Sequence, residues 1–163
     1  MKGSEIMKKI FLISVICMSA FMLSGCGKKV KGTINDLSFE FSKDFSNCEY
    51  SDTQYQCIYK NKNDYCIVNV STAVPMDEKD ANKTVKFLLF VDNNIEVKYG
   101  EKEINDFTWT TGYVENDGND FQKMLYLIND YNGNRYEVSY DCSLNTDMSN
   151  KDFQNFENSL IFK

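Results

Sequence analysis

The sequence predicts an α+β domain in which an antiparallel β-sheet packs against one long mid-chain helix and a C-terminal helix. Three observations favour this class. Apolar and polar residues alternate in several segments, one segment has apolar residues at helical spacing, and Asn132-Gly133 stands between two alternating segments. Runs of strands with separate helices are typical of antiparallel α+β folds rather than of doubly wound parallel sheets.

The first part of the predicted sheet is a strand followed by a hairpin. Leu37–Phe41 alternates apolar and polar residues, which predicts a half-buried strand. Two further apolar segments, 55–59 and 65–70, predict strands as well. The polar run 60–64 between them predicts the loop of a hairpin.

The hydrophobic period changes in the middle of the chain. Ala81, Val85, Leu88 and Leu89 recur at the spacing of one helix face. Acidic residues precede them, in the first turn, where the helix dipole favours negative charge. We therefore predict a helix over 77–92.

The second part of the predicted sheet is a short strand and a three-stranded meander. The predicted strands are 95–99, 107–115, 121–128 and 135–142. Asn132-Gly133 is the strongest hairpin signal, because both central residues of a type I′ turn need a positive φ. Phe153, Phe156 and Leu160 have helical spacing, so we predict that 150–162 is the C-terminal helix.

This layout resembles the PsbP-like fold, which PsbP shares with the DcrB-type bacterial lipoproteins. The resemblance is carried by Leu37–Phe41, the mid-chain helix, Phe107-Thr-Trp109 and the final pattern of Phe153, Phe156, Ser159, Leu160 and Phe162. It implies a PsbP-like domain over most of the chain and a non-enzymatic accessory role. The additional cysteines of this chain depart from the pattern of that family.

The first 25 residues have the order of features that is typical of a signal peptide. Lys2, Lys8 and Lys9 precede an apolar run over 10–23. The run has 14 residues, which span about 21 Å as a helix, whereas roughly 20 residues are needed to cross a bilayer core about 30 Å thick. Translation from Met7 would give a more usual signal peptide than translation from Met1, and the sequence leaves this choice open.

The apolar run ends in Leu23-Ser24-Gly25-Cys26, which resembles the lipobox of bacterial lipoproteins. The resemblance implies cleavage between Gly25 and Cys26 and attachment of lipid, with fatty acids such as palmitate, to Cys26. An ordinary secretory signal with a chance cysteine and a short membrane helix are the alternatives. The predicted organisation is a lipoprotein signal peptide over 1–25, a lipidated N-terminus and tether over 26–34, and one domain over 35–163.

The charge of the chain excludes several classes of function. Its formal net charge is −6, so we expect no nucleic-acid partner. Without the signal peptide, 15 basic and 23 acidic residues leave a net charge of about −8, and we expect such a domain to stand away from an anionic membrane on its tether.

The chain has no histidine, which excludes Ser-His-Asp and Cys-His catalysis. We expect no metal ion, no cofactor and no catalytic residue.

Four cysteines remain beyond the predicted anchor: Cys48, Cys57, Cys66 and Cys142. An even number of cysteines in an exported domain favours two disulfides, and three pairings are possible. The favoured pairing is Cys48–Cys57 with Cys66–Cys142. Free buried thiols and a four-cysteine zinc site are the alternatives, although a zinc site typically shows two closely spaced cysteine pairs.

The sequence therefore predicts a lipoprotein anchored at the extracytoplasmic face of the cell membrane, with a non-enzymatic accessory or binding role towards an unknown envelope component. The alternative is a small-ligand-binding lipoprotein with a pocket between helix 77–92 and the sheet. An enzyme that uses only carboxylates is a third hypothesis.

Overall fold

A computed structural model describes residues 29–61, 64–75, 97–115 and 123–163. Over these ranges the chain is mainly antiparallel β-sheet. The strands are β1 (Val30–Ile34), β2 (Leu37–Phe41), β3 (Phe45–Tyr50), β4 (Gln54–Asn61), β5 (Asp64–Ala73), β6 (Lys98–Ile104), β7 (Phe107–Glu115), β8 (Lys123–Tyr131), β9 (Asn134–Cys142) and β10 (Ile161–Phe162), and the helix is α1 (Lys151–Glu157).

Seven of these strands form one large sheet in the order β3-β4-β5-β9-β8-β7-β6, and all its neighbouring strands are antiparallel. Short connections join most of these neighbours, as in hairpins and meanders. Asn132 and Gly133 connect β8 to β9, and their φ values of 48° and 76° are those that this tight turn requires. The predicted hairpin at this position is therefore present.

A small sheet of order β1-β2-β10 lies over one face of the large sheet, which we call the inner face. In β2, Leu37, Phe39 and Phe41 are buried while the residues between them are partly exposed, as the predicted alternation requires. The short β10 pairs with β2, so the last strand returns to the first hairpin.

Aromatic side chains fill the space between the two layers. Phe41 of β2 stacks on Phe156 of α1 with 4.6 Å between ring centroids, and Phe153 of α1 lies 4.8 Å from Tyr59 of β4. At the other end of the core, the ring of Phe162 lies 4.5 Å from that of Tyr131. Each such pair adds about 0.5–1.5 kcal/mol to the free energy gained by burying the rings.

Helix α1 is short because polar contacts define both of its ends. The Asn150 side chain accepts hydrogen bonds from the backbone N–H groups of Asp152 and Phe153 at 2.9 and 3.2 Å, which is an N-cap. After the helix, Ser159 Oγ accepts from the backbone N–H of Glu40 at 2.7 Å and donates to its carbonyl at 3.2 Å. These bonds bring the chain alongside β2 and direct it into β10.

The predicted α+β class is wrong. About 67% of the described residues are in strands and about 7% are in one short helix. The helix predicted over 150–162 ends at Glu157, and Ile161–Phe162 forms β10 instead. The spacing of Leu160 and Phe162 fits a strand next to β2 as well as a helix face. The predicted helix 77–92 lies outside the described residues, as do the first two positions of the predicted strand 95–99, whose last two residues, Lys98 and Tyr99, begin β6.

β1 and β3 were not predicted, and β6 was predicted only at its first two residues, each for a local reason. Six of the seven residues of β6 are exposed, so its sequence does not alternate. The pairing of β3 with β4 shifts between Ser46 and Glu49, where Asn47 has a φ of 46°, and this bulge interrupts the period of β3. β1 occupies 30–34, which lies within the tether predicted over 26–34.

Replacement of Gly32 by alanine is predicted to lower the free energy of unfolding by about 1–3 kcal/mol, because it overpacks the core. A Cβ atom at Gly32 would stand 2.3 Å from two ring carbons of Phe39, so the ring would have to move. Gly100→Ala is the control, since its Cβ would stand 3.2 Å from Thr111 Oγ1 only. Urea unfolding measures both changes, and equal midpoints for the two variants would contradict this prediction.

Candidate functional site

The predicted anchor lies just before the described fold. Cys26 and Gly25 are outside the described residues, which begin at Lys29. β1 begins at Val30, and the Val30 side chain packs against the main core. Only residues 27–29 therefore separate Cys26 from the first strand. The connection is much shorter than the tether that the sequence predicted.

The four remaining cysteines form two disulfides, Cys48–Cys57 and Cys66–Cys142. This is the pairing that the sequence analysis favoured. The first disulfide joins β3 to β4 and the second joins β5 to β9. Cys66 and Cys142 are direct partners in the register of the two central strands. All four residues are buried in the main core, so reductants in solution have little access to their sulfur atoms.

The end of α1 carries a buried carboxylate with two partners. Lys102 of β6 donates to one oxygen of Glu157, and the hydroxyl of Tyr140 donates to the other at 3.5 Å. Burial, and then the neighbouring Glu157, raise the pKa of Tyr140 well above its usual value. Both oxygens of Glu157 are engaged within the fold, so this cluster ties α1 to the large sheet rather than offering a base to a substrate.

The outer face of the large sheet has a row of polar side chains that bond across strands. Asn69 of β5 accepts a hydrogen bond from Gln56 of β4 at 2.7 Å and donates one to Ser139 of β9 at 3.2 Å. Nearby, Tyr126 donates to Glu137 at 3.1 Å, and desolvation raises the pKa of Glu137. Such side-chain pairs stabilise neighbouring strands and fix their register.

The part of the chain that the structure describes has neither a cluster of metal-binding side chains nor a membrane-spanning helix. In those ranges no group of three or more cysteine or carboxylate side chains is placed to hold a metal ion. No helix within them is long and apolar enough to cross a membrane. The pocket of the alternative hypothesis requires helix 77–92, which lies outside the described residues.

Comparisons with known proteins show the fold alone. No family model and no curated protein matches the chain. A crystal structure from Bacteroides thetaiotaomicron VPI-5482, solved at 1.50 Å, is similar with a TM-score of 0.52 and 13% sequence identity. The similarity covers 85% of this chain and 49% of that protein, so this chain spans about half of its length.

The two disulfides are predicted to differ in their contribution to stability. In the chain-entropy model, a separation of 76 residues for Cys66–Cys142 gives about 4.5 kcal/mol, and a separation of 9 for Cys48–Cys57 gives about 2.6 kcal/mol. Replacing both cysteines of a pair by alanine leaves no lone thiol, so each double variant serves as the control for the other. A larger loss in urea unfolding for the Cys48–Cys57 pair would contradict this ranking.

Glu137→Gln is predicted to raise the stability of the protein at neutral pH. The pKa of Glu137 is raised above its ordinary value of 4.5, so folding favours the protonated form. That contribution is fully present below pH 4.5 and is lost as the pH rises through the raised pKa. Glutamine keeps an acceptor for Tyr126 without this pH dependence.

Urea midpoints of the wild type and Glu137→Gln, measured from below pH 4.5 to neutral pH, test this gain in stability. Glu101→Gln, at an exposed position, is the control. Parallel pH profiles for the wild type and Glu137→Gln would show that the prediction is wrong.

Proposed function

We propose that this chain is an exported lipoprotein, which Cys26 anchors to the extracytoplasmic face of the cell membrane. The observation that carries the proposal is the order of basic residues, short apolar run and Leu23-Ser-Gly-Cys26 directly before a β domain. Two acyl chains on one cysteine are enough for stable anchoring, since each buried methylene contributes about 0.8 kcal/mol.

The position of the described fold supports this proposal. Cleavage between Gly25 and Cys26 would remove no described strand, because the first strand begins at Val30. The lipidated residue would then stand next to the folded domain. A protease that acts at the membrane would have to reach only residues that precede β1.

The two disulfides support export independently of the signal peptide. Disulfides form and persist in oxidising compartments outside the cytoplasm and are rare in the cytosol of mesophiles. Both pairs are buried in the main core, and Cys66–Cys142 joins β5 to β9, each of which lies between two other strands of the large sheet. Such placement is typical of structural disulfides rather than of catalytic thiols.

We further propose that the role of the domain is accessory and non-enzymatic. The sequence has no histidine. The described ionisable groups in the core are engaged within the fold: Glu157 binds Lys102 and Tyr140, and Arg135 binds Asp130 at 2.9 Å. A partner in the cell envelope is the class of ligand that fits this arrangement, and chemical crosslinking on intact membranes followed by co-purification would identify it.

Cys26→Ser is predicted to abolish anchoring, because serine cannot form the thioether that holds the lipid. The wild-type chain should begin at residue 26 and carry a diacylglycerol mass. The variant should lack that mass and should no longer be recovered with membranes through a lipid anchor. Intact mass spectrometry and membrane fractionation measure both properties.

Cys17→Ser is the matched control, because Cys17 lies within the apolar run and the proposal gives it no role. The proposal is wrong if the mature wild-type chain keeps residues 1–25, or begins elsewhere without lipid.

A further inference from the structure

The outer face of the small sheet is open to solvent and lies next to the predicted anchor. We call this surface the β1 face. It consists of Lys29 and the outward side chains of β1, β2 and β10, which are Lys31, Thr33, Ser38, Glu40 and Ile161. The opposite face of the same sheet is buried in the aromatic core, so the sheet presents only this side to a partner.

The β1 face is positively charged although the chain as a whole is negative. Lys29 and Lys31 both contact Glu40, with Nζ–Oε distances of 2.6 and 3.5 Å, and these contacts lower the pKa of Glu40, Lys29 having the larger effect. The side chains of the two lysines remain 66% and 81% exposed. Two cations around one carboxylate leave an excess positive charge on a chain of net charge −6.

The length of the linker keeps these lysines close to the anchor. Lys29 is three residues from Cys26 and Lys31 is five, so an extended chain places them within about 11 and 18 Å of it. The Debye length at physiological ionic strength is about 8 Å. Both distances exceed this length, so the surface charges of a membrane act on these lysines only in orientations that bring the β1 face closer to the membrane than the fully extended linker would.

The remaining side chains of the β1 face suit contact with a lipid headgroup layer. Thr33 and Ser38 are small, and their hydroxyl oxygens lie 3.5 Å apart. Ile161 is 51% exposed, and it would bury apolar surface if it entered the headgroup layer. A basic surface with an exposed apolar residue is a combination that favours binding to anionic lipid.

We propose that the β1 face docks on the anionic headgroups of the membrane that holds the lipid anchor. This inference rests on the proposed lipidation of Cys26. It differs from the orientation expected from net charge alone, because a basic residue near an anionic surface contributes about 1 kcal/mol, enough to bias the orientation of a domain that its anchor already holds at the membrane.

The chain isolated from membranes with its lipid anchor and reconstituted in vesicles allows a direct test. A membrane-impermeant acylating reagent is applied to vesicles of phosphatidylcholine and to equimolar vesicles of phosphatidylcholine and phosphatidylglycerol. Peptide mass spectrometry then measures the labelling rates of Lys31 and of Lys60, an exposed lysine of β4. We expect the labelling of Lys31 relative to Lys60 to fall about fivefold on the anionic vesicles, and to recover in about 1 M salt.

A variant of the β1 face that lacks one negative charge should increase the protection of Lys31, which tests the role of charge directly. Glu40→Gln removes the one carboxylate of the β1 face, so it should increase the protection of Lys31 on anionic vesicles relative to phosphatidylcholine vesicles. Glu49→Gln, at an exposed position of β3, is the matched control and should leave this ratio unchanged. A merely structural role of the ion pair would change the labelling equally in both kinds of vesicle.

The outcomes separate the two proposals. The intact mass of the same sample reports whether Cys26 carries diacylglycerol, and its absence overturns both the proposed function and the docking. A lipidated chain whose Lys31 and Lys60 label at the same relative rate in both vesicles overturns the docking alone. Protection of Lys31 that salt reverses and that Glu40→Gln increases supports it.

Discussion

Phe41 of β2 stacks on Phe156 of α1, and this contact joins the first hairpin of the fold to its last helix over the inner face of the large sheet. A sheet with one apolar face needs such a cover, because isolated strands bury too little surface to be stable. The segments that cover this face, β2 and α1, are distant in sequence. Ser159, which follows α1, joins them by two hydrogen bonds to the backbone of Glu40 in β2. Folding of the whole domain therefore requires contacts between segments far apart in sequence, and such non-local contacts make folding slow.

The disulfides address the same requirement in a different way. Cys66–Cys142 connects β5 to β9 across a sequence separation of 76 residues, and it limits the conformations of the unfolded chain before any aromatic contact forms. This constraint is available only to a protein that folds where thiols are oxidised. The fold, the cysteine pairing and the proposed export thus depend on one condition, an oxidising compartment. The short linker after Cys26 would then place the covered sheet close to the membrane surface.

Local patterns in the sequence predicted the features that local forces determine. The alternation in Leu37–Phe41 and the turn at Asn132-Gly133 each depend on a few neighbouring residues, and both are present. Only Lys98 and Tyr99 of the edge strand β6 fall in a predicted strand, because six of its seven residues are exposed and its hydrogen bonds to β7 rather than any apolar period define it. Leu160 and Phe162 fit two periods, and only the contact of β10 with β2 decides between them. The engagement of Glu157 with Lys102 joins residues 55 positions apart and has no sequence signal.

A disulfide map of the protein isolated from membranes tests the central claim, an exported β domain held together by two cystines beside its lipid anchor. Thiols are blocked during lysis, and the chain is digested without reduction. The account predicts peptides linked through Cys48–Cys57 and through Cys66–Cys142, together with an N-terminal peptide that begins at lipidated Cys26. Alkylated thiols at Cys66 and Cys142 in membrane-derived protein, or a different pairing, would contradict it.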